Sequence, residues 1–400
     1  MSAALRVADV IRSCWEVYDR GKRLPPHVVK AVRHILRCRT KALGGHIHEC
    51  DRCGSEVPMY NSCQDRHCPT CQTSAKEKWL TKRRAEMLPV QYFHSVFTVS
   101  HDLNPLIEAN RTLLLGELFG TVNWVLQRFA RDPQWRLEGE LGFLALLHTW
   151  DQRLRTHFHL HCIVPGGVWR ADTGEWVHCR TRWLFKKDSL ATAFRNRYIK
   201  RLKALRPGGK LSFTGRAAPL AAQAAWDTLI DKVENQTWIV YPKPAPAGAE
   251  KALDYLARYT HKVAISDHRI LSFKDGVVTY TWRDRDDDNQ IKTDPLLAHE
   301  FTQRFCSHIL PKGFVKIRYF GWLAAAKRKT ALPAIRAALN APPPEAEPPK
   351  TLPERILEST GIDITLCPNC GKGHLRNTGI VIPPQAPQAG GRGPPQRGPP

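Results

Sequence analysis

Four hundred residues, 42% of them hydrophobic, suffice for two or three domains around at least one sizeable core. The formal net charge of +23 predicts a polyanionic partner, and nucleic acid is the usual one, the more so as Lys and Arg are interleaved with Trp, Tyr and Phe. No apolar run is long enough to span a bilayer, and the opening MSAALRVADVIRSCWEVYDRG is too charged for a signal peptide. The expectation is therefore a cytoplasmic protein whose thiols stay reduced. Its 12 cysteines then need a reason other than disulfides, and the CxxC pairs point to metal.

Residues 1–44 read as a helical, basic arm, with Val28, Val29, Val32 and Ile35 at helical spacing. Residues 45–75 form a zinc-binding module. The segment 76–89, AKEKWLTKRRAEML ending at Pro89, is a basic linker helix. Residues 90–326 read as one larger domain. In it YFHSVFTVS, LGFLALLHTW, HFHLHCIVPGG, TWIVYPKP and GFVKIRYFG read as strands. LIEANRTLLLGELFGTVNWVLQRFA, SLATAFRNRYIKRLKAL, AEKALDYLARYTHK and HEFTQRFCSHILP read as helices, and RILSFKDGVVTYTWRD as a hairpin turning at Asp275–Gly276. The fold class is α+β, an antiparallel sheet carrying helices. Residues 327–400 read as a Pro-rich, largely disordered tail holding a CPNC half-knuckle, Cys367 and Cys370.

In the zinc module, Cys50–x–x–Cys53 and Cys68–x–x–Cys71 each let two thiolates turn onto one ion, and together they complete a tetrahedral, structural zinc site. Cys63, His67, His46 and His48 are surplus to one site, and a second zinc including Cys38 is a further option. A zinc deaminase also uses PCxxC, but it needs an upstream HxE, which His46–Ile47–His48–Glu49 does not supply. The adjacent Lys82, Arg83 and Arg84 point to DNA contact.

Residues 157–164 alternate with period two. Phe158, Leu160, Cys162 and Val164 share one face, and His157, His159 and His161 the other. Same-face neighbours stand about 6–7 Å apart, so His159 and His161 can grip one cation, whereas all three cannot without distortion. A third ligand must come from elsewhere, with His94, His148 and Gln152 on offer and His157 in reserve.

On the helix 250–264, Leu253, Leu256, Ala257, Thr260 and Ala264 gather on one face. Lys251, Tyr255, Arg258, Tyr259 and Lys262 gather on the other. Two phenols one turn apart among three cations suit nucleophilic attack on a phosphodiester. The cations favour the phenolate, and Lys251, Arg258 and Lys262 are positioned to contact DNA.

These residues, in this order, resemble the rolling-circle insertion-sequence transposases with paired tyrosines, the IS-ninety-one family within the HUH (histidine–hydrophobic–histidine) class. The likeness covers roughly residues 38–325. It rests on CRTKALGGH, the CxxC…NSC…RHCPTCQ module, YFHSVFTVSH, HTWDQ…HFHLHCIVPGG, YLARYTHKVAIS and HILPKGFVKIRYFG. It implies a ferredoxin-like antiparallel sheet of the HUH nuclease type and Mg²⁺ or Mn²⁺ at His159 and His161. It also implies Tyr255 and Tyr259 as nucleophiles forming 5′-phosphotyrosine links, and single-stranded, element-end DNA as partner, with no nucleotide cofactor. A rolling-circle replication initiator or relaxase would share the chemistry, but the zinc module and the lack of GxxxxGK[ST] favour a transposase. A catalytically inactive zinc-dependent regulator is disfavoured by the presence of both tyrosines and both histidines. Among weaker signals, Arg195, Arg197, Lys200, Arg201 and Lys203, and Lys327, Arg328 and Lys329, suit either a phosphate backbone or a solvated helix face.

Overall fold

The computed structural model describes residues 5–21, 23–180, 184–245, 253–254, 257, 263–284, 286–343 and 350–384. Helices α1 (Val7–Gly21) and α2 (Pro26–Arg37) lead into a hairpin of β1 (Gly45–Cys50) and β2 (Glu56–Tyr60), then α3 (Thr73–Arg84). The chain continues through β3 (Tyr92–Thr98), α4 (Asn104–Ala109), α5 (Arg111–Arg131), β4 (Phe143–Trp150) and β5 (Thr156–Pro165). A short hairpin, β6 (Gly167–Arg170) and β7 (Glu175–His178), precedes α6 (Lys187–Leu205), α7 (Gln223–Asn235) and β8 (Val240–Pro244). Next come β9 (Ile270–Lys274), β10 (Val277–Arg283), β11 (Ile291–Leu297), α8 (Ala298–Ser307) and β12 (Ile317–Phe320). Last are α9 (Ala325–Ala338), α10 (Leu352–Thr360) and β13 (Leu375–Val381).

The central sheet has the order β12-β4-β5-β3-β8, and every neighbouring pair is antiparallel. Its alternation explains the layering. Phe93 and Phe97 of β3, Phe143, Ala145 and Leu147 of β4, and Phe158, Leu160, Cys162 and Val164 of β5 point to one face. There they bury against α5 (Leu115, Leu118, Val122) and α6 (Phe194, Tyr198) in the largest core. The opposite face carries the histidines. The fold is thus α+β, as the strand and helix patterns predict.

The segment predicted as one helix before β4 is two. Asn110 breaks it: its Nδ2 donates to the Leu106 and Ser212 carbonyls (3.0 and 2.8 Å) and its Oδ1 accepts from the Ser212 amide (2.7 Å). Asparagine competes with the backbone for such partners, which is why it ends the first turn here. The predicted hairpin turn is present, with Asp275 (φ 50°) and Gly276 (φ 75°) both in the left-handed region that a type I′ turn requires.

Two expectations about domain limits need correction. The arm is not a separate basic extension: Val7, Val10, Ile11 and Trp15 of α1 and Val28, Val32 and Ile35 of α2 share a core with Phe301 and Phe305 of α8 and with Tyr280 of β10. Nor is the whole stretch beyond residue 327 without order. Among its described residues are α9, α10 and β13, and β13 pairs with β1 to give the sheet order β13-β1-β2. Proline misled the reading. Pro353 sits in the first turn of α10, where its missing N–H costs nothing, and a Thr351/Glu354 capping box starts that helix. Among the described residues, no helix is long and apolar enough to cross a membrane.

Candidate active site and metal centres

His148 and His159 are direct partners across the β4–β5 pair, and His161 lies two residues further along β5 on the same face. One ligand nitrogen from each of His148, His159 and His161 falls within a group no more than 4.8 Å across. All three side chains are buried (3%, 8% and 4% exposed), so a cation here would be largely withdrawn from bulk water. His159 Nδ1 lies 3.0 Å from the His157 carbonyl. A carbonyl only accepts, so His159 carries its proton on Nδ1 and presents a lone pair at Nε2. That Nε2 faces His161 Nε2 at 3.1 Å, and His161 Nδ1 faces His94 Nε2 at 2.8 Å, with the His94 and His161 rings stacked 3° from parallel. If His161 donates from Nδ1 to His94, both facing Nε2 atoms offer lone pairs. Two such atoms tolerate this approach only around a shared cation. Cis ligands of a six-coordinate ion with bonds of about 2.1 Å stand about 3 Å apart, so the nitrogens fit a divalent metal.

The third histidine is therefore His148, with His94 behind His161 rather than beside the gap. Sequence spacing could not separate these candidates, because cross-strand register decides between them. His157 does not join the group; its Nδ1 pairs with His101 Nε2. Gln152 lies in the turn between β4 and β5, where its carbonyl accepts from Arg269 (2.6 Å).

Tyr255, Tyr259, Lys251, Arg258 and Lys262 lie outside the described residues. Their described neighbours Leu253 and Ala257 are buried against Leu80, beside Trp79 and Met87. Trp79 and Met87 also pack on Tyr92, Leu144, Leu146 and Ile163, which alternation places on the histidine face of the sheet.

The cysteines form two groups, each with four sulfurs within 4.8 Å: Cys38, Cys63, Cys68 and Cys71, and Cys50, Cys53, Cys367 and Cys370. The predicted single site of Cys50, Cys53, Cys68 and Cys71 is thus divided between them. Cys50 and Cys53 occupy the tip of the β1–β2 hairpin. Cys38 and Cys63 flank its base, where the Arg39 amide donates to the Asn61 carbonyl (3.1 Å). A six-residue strand is about 20 Å long, too far for one ion to bridge. Sulfur separations are 3.7 Å for Cys63–Cys71, 3.7 Å for Cys50–Cys370 and 3.8 Å for Cys53–Cys367. The edge of a zinc–thiolate tetrahedron with bonds of about 2.3 Å is about 3.8 Å. His67, offered as an additional ligand, is not one: Nδ1 pairs with Asp65 Oδ1 (3.0 Å), and Nε2 accepts from the Leu310 amide (3.2 Å). Asp65 also meets His34 Nδ1 at 3.0 Å. Burial raises its pKa, but these hydrogen bonds outweigh that and hold it at about 2.

Residues 142–330 match a family described as putative transposase, and residues 10–99 match a transposase zinc-binding domain of IS-ninety-one type. The chain is 38% identical to a putative transposase, y4qJ, of Sinorhizobium fredii, over 95% of this chain and 97% of that protein. It is 28% identical to the transposase for insertion sequence element IS801 of Pseudomonas savastanoi pv. phaseolicola, over 90% of this chain and 85% of that one. The chain belongs to the IS-ninety-one-like transposases. No solved structure matches it. A transposase acts on DNA, and in this transposase the zinc-domain match and the cysteine clusters together support structural zinc.

Several of the basic residues considered for DNA contact are paired within the chain. Arg83 is buried, paired with Glu86 (2.8 Å) and stacked over Tyr319, so it cannot reach a phosphate without breaking both contacts. Arg84 pairs with Asp254 (2.9 Å), Arg201 with Glu117 (2.8 Å), Lys203 with Glu234 (2.6 Å), Lys327 with Glu140 (2.7 Å) and Arg328 with Glu86 (3.4 Å). Arg195 donates to the Gln236 carbonyl (3.2 Å). Lys82, Lys200 and Lys329 are exposed. Sequence reading missed the groove of about 800 Å³ along α5 and α6, where Arg128 and Arg197 flank the partly exposed Trp124 ring at 5.4 and 4.5 Å.

Proposed function

We propose that this transposase nicks and rejoins single-stranded DNA at element ends, with Tyr255 and Tyr259 as nucleophiles and His148, His159 and His161 holding a divalent cation. The observation that supports it best is the buried trio of imidazoles, with the Nε2 atoms of His159 and His161 3.1 Å apart, on the face of the sheet opposite the main core. Such an ion, Mg²⁺ or Mn²⁺, would polarise the scissile phosphate and offset its growing negative charge. The rest is the work of the chain. His94 holds the His161 ring in place, and the His157 carbonyl fixes the tautomer of His159. Leu253 and Ala257 pack on α3, above the same face of the sheet.

A tyrosine hydroxyl attacks the phosphorus, its proton leaving to solvent, and the P–O3′ bond breaks. The product is a 5′-phosphotyrosine and a free 3′-hydroxyl. A later 3′-hydroxyl attacks that linkage, re-forming the phosphodiester and releasing the phenol, so the bond energy is kept without ATP. Two nucleophiles allow two strands to be held at once, as a rolling-circle-like transfer of an insertion sequence requires.

The test is nicking of single-stranded oligonucleotides bearing the element ends, with the covalent adduct mapped by mass spectrometry. The Tyr255→Phe/Tyr259→Phe protein should form no adduct, and His161→Ala should lose nicking while still folding. Undiminished nicking by the double Phe protein would sink the assignment.

A further inference from the structure

We propose that Cys50, Cys53, Cys367 and Cys370 bind a zinc ion of their own, which clasps the C-terminal segment onto the N-terminal hairpin. The ligands come from two knuckles 314 residues apart (Cys53 to Cys367), yet the two are built alike. Each reads Cys–x–x–Cys–Gly, and the glycines, Gly54 (φ 67°) and Gly371 (φ 64°), both take the left-handed conformation that ends the turn. In each, the glycine amide closes back on the first cysteine: Gly54 N to Cys50 O at 3.0 Å, and Gly371 N to Cys367 O at 2.9 Å. The knuckles face each other crosswise, Cys50 against Cys370 and Cys53 against Cys367, at separations that match a tetrahedral edge.

The surroundings fit four thiolates. The Gly373 amide points at Cys370 Sγ (3.4 Å), and a Cβ on Gly373 would come within 2.4 Å of Cys50 Sγ, so the backbones close tightly on the sulfurs. Asp51 and His374 lock the frame, the Asp51 amide donating to the His374 carbonyl (3.1 Å) and the His374 amide to Asp51 Oδ1 (2.8 Å).

Energetics require such an ion. Among the β13, β1 and β2 strands, only the end residues of β1 are buried, so the three-stranded sheet has almost no core of its own. A sheet that small is stabilised by a metal or a disulfide, and its cysteines are free in the structure, which leaves the metal. Cys367 follows α10 closely in the chain, so the ion also ties down α10, which packs against α3, the helix on which Leu253 and Ala257 rest. The Cys38/Cys63/Cys68/Cys71 group does not share this role, since all its ligands lie within the N-terminal region.

The test uses the full-length protein, purified under reducing conditions. Zinc content by plasma emission should fall by one ion per chain in Cys367→Ser/Cys370→Ser. Trypsin cleavage after Arg355, Lys372 and Arg376 should become at least tenfold faster in the same variant. Should that variant fail to fold, cobalt titration of the unaltered chain decides. Thiolate-to-cobalt absorption that grows up to two equivalents supports the clasp, and saturation at one overturns it. Unchanged zinc content in the folded variant, or a Cys50–Cys370 disulfide in the reduced preparation, also overturns it.

Discussion

His159 Nε2 and His161 Nε2 face each other at 3.1 Å inside the protein, and each ring is held from behind, by the His157 carbonyl at 3.0 Å and by His94 Nε2 at 2.8 Å. This geometry makes His94 a positioning residue: it orients His161 without reaching the gap itself. His94→Ala should weaken Mn²⁺ binding about 10–100-fold, the usual cost of losing an outer partner of a ligand histidine. Nicking should recover at high Mn²⁺. His148→Ala, by contrast, removes a proposed ligand and should not be rescued. Calorimetric Mn²⁺ titration checks both, and equal behaviour of the two variants would contradict the assignment of His148.

The chemistry of the donors also ranks the metals. Imidazole nitrogen suits first-row transition ions better than Mg²⁺, which prefers oxygen and sheds water reluctantly. Nicking should reach half-maximal rate at a lower Mn²⁺ than Mg²⁺ concentration, by tenfold or more. A lower requirement for Mg²⁺ would argue for oxygen ligands at the site.

Acid should destabilise the fold through His308. It is buried, with Nε2 donating to the Leu154 carbonyl (3.0 Å) and Nδ1 accepting from Thr149 Oγ1 (3.2 Å). Burial pulls its pKa from the ordinary 6.5 down to about 4. Between those values the unfolded chain binds a proton that the folded chain refuses, so stability falls as pH drops from 6.5 towards 4 and this contribution levels off below. A His308→Gln protein should show a shallower fall of Tm over that window, read by circular dichroism.

Lys316 is a buried cost in the fold. Its Nζ is sealed from solvent with no hydrogen-bond partner among the described residues, and burial together with the Arg66 charge pushes its pKa down to about 7. Since the folded value lies below the ordinary 10.5, the penalty shrinks as pH rises from 7 to 10.5. Lys316→Met should therefore raise Tm at pH 7 by roughly 2–6 °C, and the gain should narrow at pH 10. A lowered Tm at pH 7 would mean that the ammonium has a partner in solution.

The groove along α5 and α6 should contribute to DNA affinity. Trp124 between Arg128 and Arg197 offers a ring for base stacking with cations beside it for phosphate. Replacing both arginines by alanine should reduce the salt slope of single-strand binding by about 1.4, at about 0.7 for each phosphate no longer neutralised. Trp124→Ala should weaken binding with the slope unchanged. A slope untouched by the arginine changes would leave the groove as solvent-facing surface.

The amino-acid sequence alone determined whatever repeats with the geometry of the chain itself. The alternation of residues 157–164 put His159 and His161 on one face and Phe158, Leu160, Cys162 and Val164 in the core, because a strand turns successive side chains to opposite sides whatever surrounds it. The Asp275–Gly276 turn and the period of α2 were legible for the same local reason. Tertiary structure decided everything that depends on contacts between distant parts of the chain. His148 rather than His94 completes the trio because of the β4–β5 register. Cys50 and Cys53 part from Cys68 and Cys71 because a strand separates tip from base, and they meet Cys367 and Cys370 because β13 returns to β1. A pairing between such distant segments leaves no periodic trace between its ends; only the shared Cys–x–x–Cys–Gly pattern of the two knuckles hinted at it.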